Sequence, residues 1–102
     1  MNEQTKQKIE HAITDNRIML FMKGEKEAPM CGFSAQVVQI LKSYGVDFLT
    51  MDVLADWELR EGLKEFTNWP TIPQLYIDGK FIGGCDIAMD LHRKGELRKI
   101  IG

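Results

Sequence analysis

The feature that most constrains the fold is a strand–helix–strand pattern built on one apolar run. Ile18-Met19-Leu20-Phe21-Met22 contains no polar break and reads as a strand buried on both faces. A polar loop, Lys23 to Pro29, leads from it towards Cys31. A helical pattern follows from about Gly32 to Tyr44, with Ala35, Val37, Val38, Leu41 and Tyr44 on its apolar side. Gly45 supplies a stop signal, and Phe48-Leu49-Thr50-Met51-Asp52 reads as a second strand. With links this short, the default is a parallel pair joined by a right-handed crossover. Ligands of open α/β sheets gather at the carboxyl ends of parallel strands. Cys31 stands at that end, close to the first turn of the helix.

That placement has a chemical consequence. The first amides of a helix lack intrahelical partners, and the positive end of its dipole favours an anion. A cysteine there, with a lysine such as Lys23 nearby, has its pKa lowered below the ordinary thiol value of about 8.5. The resulting thiolate is both a nucleophile and a metal ligand.

The remaining segments follow in order. Ile9, Ala12 and Ile13 fall at helical spacing between Thr5 and Thr14, predicting a short amphipathic helix before the first strand. Asp56 to Thr67 reads as another helix. Leu59, Gly62, Leu63 and Phe66 share one face of it, and Arg60 and Lys64 share another. In Asn68-Trp69-Pro70-Thr71-Ile72-Pro73, the two prolines force Trp69 and Ile72 to be extended. Asp78-Gly79 joins Gln74–Ile77 to Lys80–Gly83 as a hairpin. Asp86 caps or enters a helix carrying Ile87, Ala88 and Leu91, and a last short helix carries Leu97, Ile100 and Ile101. Trp57 and Trp69 read as packing residues, Trp69 at the rim of any groove. His11 and His92 read as surface or helix residues.

A chain of 102 residues without linker, repeat or low-complexity tract predicts one domain, residues 1–102. A net charge of −2 gives no basic surplus for nucleic acid. No apolar run approaches the ~18–20 residues that would span a bilayer. The polar N-terminus lacks an apolar signal core and the Arg-rich character of a transit peptide, so a cytoplasmic location is expected. In a reducing compartment a disulfide between Cys31 and Cys85 is disfavoured. Cys85 and His92 lack zinc-finger spacing, so no zinc site is expected, and no Gly-Lys-Ser/Thr of a P-loop occurs.

Taken together, Lys23-Gly24, Pro29, Cys31-Gly32-Phe33-Ser34, Trp69-Pro70-Thr71-Ile72-Pro73-Gln74 and Gly83-Gly84-Cys85-Asp86 resemble the monothiol glutaredoxins of the CGFS type over nearly the whole chain. The resemblance implies an α/β, thioredoxin-like fold: a four-stranded mixed sheet flanked by about five helices. It implies that Ser34 replaces the resolving cysteine of dithiol relatives, so that Cys31 borrows a partner thiol from glutathione. Residue chemistry fits such a ligand. Lys23 and Arg60 suit the glycine-end carboxylate, and the extended backbone of Ile72 suits the tripeptide's cysteine. The amides of Cys85 and Asp86 suit the γ-glutamyl carboxylate, and the Asp86 carboxylate suits its ammonium. Gly84 keeps the groove open. By resemblance the Ile72–Pro73 bond is cis. Met30, before the cysteine, replaces the polar residues often found there in the family.

Two functions follow, and the residues leave both open. One is carriage of a [2Fe–2S] cluster for iron–sulfur biogenesis. Four ligands are needed, and two Cys31 thiolates plus two glutathiones in a homodimer supply them. The resemblance also implies a mixed assembly with a BolA-type partner, and transfer to iron–sulfur acceptor proteins. A tally of Cys31 and Cys85 from each of two chains also reaches four. The other function is enzymatic: a glutathione-dependent thiol–disulfide oxidoreductase that removes glutathione from proteins through Cys31. The CGFS class is expected to be poor at that turnover.

Overall fold

The structure, a computed structural model, describes all of residues 1–102. Its central strand β1 (Ile18–Met22) is buried along its whole length, as the unbroken apolar run predicts. Side chains alternate across a strand, and here the alternation divides the core in two. Ile18, Leu20 and Met22 enter one apolar layer, and Met19 and Phe21 enter the other. The first layer is closed by helices α2 (Gly32–Ser43), α4 (Cys85–Arg93) and α5 (Glu96–Ile101). The second is closed by α1 (Glu3–Asp15) and α3 (Trp57–Thr67). One sheet between two helical layers buries both of its faces.

Strand β4 (Leu49–Asp52) lies parallel to β1, with Met22 beside Asp52. β5 (Gln74–Ile77) runs antiparallel on the other side of β1, and β6 (Lys80–Gly83) pairs with β5 through the Asp78-Gly79 turn. The order is β4-β1-β5-β6. This is the four-stranded mixed sheet with five helices that the resemblance implies.

Several details differ from the sequence expectation. The Lys23–Pro29 loop folds into a miniature hairpin, β2 (Gly24–Glu25) with β3 (Ala28–Pro29). Gly24 makes this possible: its φ is +87°, and a Cβ there would come within 2.6 Å of the Met30 amide nitrogen. Asp52, at the end of β4, holds the hairpin by accepting the Gly24 N–H at 2.9 Å. Phe66 and Ile100 are exposed rather than buried, and Trp57 packs into neither apolar layer. A helical stripe read from sequence extends one turn beyond the surface that its neighbours cover. No helix is long and apolar enough to cross a membrane.

Candidate functional site

The carboxyl end of β1, one face of α3 and the amino ends of α2 and α4 converge on one groove of about 460 Å³. Lys23, Cys31, Arg60, Ile72, Pro73, Gly84, Cys85 and Asp86 all line it. Each arrives from a different local cause. Cys31 is the N-cap of α2, with extended backbone (φ −152°, ψ 135°), and its carbonyl accepts the Ala35 N–H at 2.9 Å. The amides of Gly32, Phe33 and Ser34 precede that first helical bond and so have no partner within the helix. Lys23 follows β1 directly, and its amide donates to the fully buried Ser34 hydroxyl at 3.1 Å. That bond ties strand end to helix start on either side of the cysteine.

The opposite wall is Trp69 to Pro73. The Ile72–Pro73 bond is cis. The buried Gln74 side chain fastens this segment, donating to the carbonyls of Trp69 at 3.1 Å and Thr71 at 3.3 Å and accepting from Tyr76 at 3.1 Å. The floor is the Gly83-Gly84 turn into α4. Gly84 is its N-cap, and the first helical bond runs from the Ala88 N–H to the Gly84 carbonyl at 3.0 Å. The amides of Cys85, Asp86 and Ile87 therefore open towards the groove unpaired. A Cβ on Gly84 would sit 3.3 Å from the Pro73 carbonyl and 3.5 Å from Trp69 Nε1.

With this geometry in view, the comparison with known proteins is direct. A model of the glutaredoxin family matches residues 18–82, which run from β1 into β6. The chain belongs to the glutaredoxin family. It is 54% identical over 101 residues to an uncharacterized monothiol glutaredoxin, ycf64-like, of Synechocystis, covering 99% of this chain and 94% of that one. Among solved structures it resembles reduced apo GrxS14 of poplar, with TM-score 0.84 and 49% identity over 94% of this chain and 88% of that one. It also resembles a buckwheat glutaredoxin–glutathione complex, with TM-score 0.85 and 28% identity over 98% and 92% of the two chains.

In this monothiol glutaredoxin the groove is cationic at one end. Lys23, Arg60 and Lys64 face it. Lys64 is paired to Glu61 at 3.1 Å, whereas the Arg60 guanidinium has no carboxylate partner. Its Nε and the indole Nε1 of Trp69 are the only buried side-chain nitrogen or oxygen atoms in the protein without a hydrogen bond. Leaving a buried donor unsatisfied costs about 1–3 kcal/mol, and both such donors belong to residues of the groove wall.

The two cysteines are both free and respond in opposite senses. The Ser34 amide beside the Cys31 sulfur is the main influence lowering its pKa, reinforced by the Phe33 amide, the Lys23 charge and the Ser34 hydroxyl against a partial burial penalty. Burial pushes the Cys85 thiol up, and the charges of Asp86 and Cys31 push it further. Cys85 Sγ donates to Gln36 Oε1 at 3.1 Å instead. Met30 and Phe33, flanking Cys31, are 71% and 60% exposed, leaving the reactive sulfur in an apolar, accessible surround.

Two groove features escaped the sequence reading. Lys64 shares the Arg60 face of α3, and the i, i+4 spacing carried that signal. What the spacing does not carry is which neighbour the face meets. Gln74 fastens a groove wall through bonds to Trp69 and Thr71, five and three residues back, and polarity alone does not announce which carbonyls a buried amide will meet.

Proposed function

We propose that this glutaredoxin binds glutathione in its groove and, as a pair of copies, carries a [2Fe–2S] cluster as cargo for iron–sulfur proteins. The observation that carries the reading is the coincidence of two orphaned donors, Arg60 Nε and Trp69 Nε1, with one accessible, acidified thiol in one groove. A tripeptide with two carboxylates, an ammonium and a thiol suits the unpaired Arg60 guanidinium and the Cys31 sulfur. Arg60 and Lys23 meet the glycine carboxylate, the Ile72 backbone meets the central residue, and the open amides of Cys85 and Asp86 meet the γ-glutamyl carboxylate. The Asp86 carboxylate meets the ammonium. Pro73 and Gly84 shape the walls. The buckwheat glutaredoxin found with glutathione supports the same ligand.

Ligand arithmetic extends the reading to the cluster. Such a cluster takes four ligands, usually thiolates. Within one chain no three His, Cys, Asp or Glu side chains converge, and only Cys31 offers an accessible thiol. Two chains with two glutathiones make up the set, and ligation through exchangeable thiols favours hand-over to acceptor proteins. A mixed assembly with a BolA-type partner and a reducing, cytosol-like compartment belong to the same proposal.

Anaerobic reconstitution with ferrous iron, sulfide and glutathione tests it. The expected product is a brown dimer that retains glutathione, lost in Cys31→Ser and kept in Cys85→Ser. A colourless monomer with brisk removal of glutathione from a mixed disulfide would instead make the protein an oxidoreductase acting through the Cys31 thiolate.

A further inference from the structure

Arg60 lacks every partner that ordinarily fixes an arginine except one. No carboxylate or carbonyl holds its guanidinium, and its Nε is buried without a hydrogen bond. The group within reach is the indole of Trp57, one helical turn earlier on α3, whose ring centroid lies 5.4 Å from Arg60 Cζ. Trp57 itself is 66% exposed. A large aromatic side chain left this exposed contributes little to folding, so a role in packing does not account for it. Its backbone is anchored all the same. Asp56 caps α3 by accepting the Leu59 N–H at 3.0 Å and is held in turn by Lys8 at 2.8 Å, so the backbone that carries the indole is held in place. A guanidinium stacks on an aromatic face while its edge remains free to meet a carboxylate.

We infer that Trp57 is a positioning residue: its ring holds the Arg60 guanidinium at the groove and sets the preference for a ligand ending in a carboxylate. The inference rests on the glutathione reading above. The neighbouring cation, Lys64, is engaged by Glu61, which leaves Arg60 as the α3 charge free for an incoming carboxylate. An unpositioned arginine would have to lose its rotamer freedom on binding, and the indole removes part of that loss beforehand.

Calorimetric titration tests this with two probes, glutathione and its glycine-end carboxamide. Trp57→Ala is expected to weaken glutathione binding by about two- to fivefold, the range for a stacked cation at an exposed site. Carboxamide binding is expected to change little. Trp57→Phe should restore most of the affinity, because a ring face remains. On an Arg60→Ala background, Trp57→Ala should have no further effect, since a double-mutant cycle isolates the pair. Melting temperature serves as the control for a structural role and should not move. Wild-type affinity in Trp57→Ala, equal losses for both probes, or an undiminished loss without Arg60 would each overturn the inference while leaving glutathione binding standing. Failure of the unaltered protein to bind glutathione would overturn the functional reading and this inference with it.

Discussion

Cys31 and Cys85 occupy nearly equivalent backbone positions and behave as opposites. One is the N-cap of α2 and the other the first residue of α4, and both helices open onto the same groove. A helix amino terminus is often taken as sufficient to acidify a thiol. Here it is not. The Cys31 sulfur lies where the Ser34 and Phe33 amides meet it, while Cys85 is 7% exposed and its sulfur turns away to Gln36. The dipole is common to both sites, so burial and the direction of the Cβ–Sγ bond decide the outcome. The α2 end thus supplies the sulfur and the α4 end supplies its amides.

The largest effect that can break this contrast is in alkylation. With iodoacetamide at neutral pH, Cys31 should react faster than Cys85 by about tenfold or more, because Cys85 also needs local opening before reagent reaches it. The sign with pH follows from the two shifts. A lowered pKa shifts the Cys31 rate profile to lower pH than that of an ordinary thiol. The raised Cys85 pKa means its rate should still be climbing above the ordinary thiol range. Mass spectrometry of modified peptides across pH measures both. Comparable rates at the two sites would show that the helix terminus dominates after all.

A smaller effect isolates the residue next to Cys31 that the α4 site lacks. The Ser34 hydroxyl is fully buried, accepts the Lys23 N–H and favours the Cys31 thiolate. Ser34→Ala leaves the Lys23 amide without that acceptor, at a cost of about 1–3 kcal/mol. In a domain of this size the melting temperature should drop by at least about 4 °C. The alkylation profile of Cys31 should move towards higher pH, but incompletely, since the Ser34 and Phe33 amides stay in place. A full return to ordinary thiol behaviour would place the acidification in the hydroxyl rather than in the backbone.

The two ends also differ in how far the sequence announced them. Around Cys31 nearly everything is local. The apolar run of β1, the helical period of α2 and the four residues from Cys31 to Ser34 are contiguous, so the strand, the helix and the thiol between them were legible together. Other parts of the site depend on partners distant in sequence. Asp52 reaches across to Gly24, and Lys64 meets the groove only once α3 is docked. Periodicity reports that a face exists but not what will stand opposite. Trp57 reads as a packing residue by its type alone, and the fold leaves that ring in solvent beside Arg60.

The smallest effect concerns the turn into α4, where two adjacent glycines do different work. Gly83 has φ +147°, and a Cβ there would come within 2.7 Å of the Ile87 side chain, so backbone conformation and space both demand glycine. Gly84 has an ordinary φ of −91°. Its Cβ would meet the Pro73 carbonyl at 3.3 Å and project beside Trp69 Nε1, taking room from the groove without forcing the helix apart. Gly84→Ala should therefore fold, and should weaken glutathione binding by about 1 kcal/mol, or roughly fivefold. Its Cys31 alkylation profile should stay that of the unaltered protein, because the groups that lower the thiol's pKa all lie on the α2 side. If the Cys31 profile moved as well, the two helix ends would be coupled through the groove rather than independent. If neither property changed, the α4 amides would not be where the ligand's carboxylate rests.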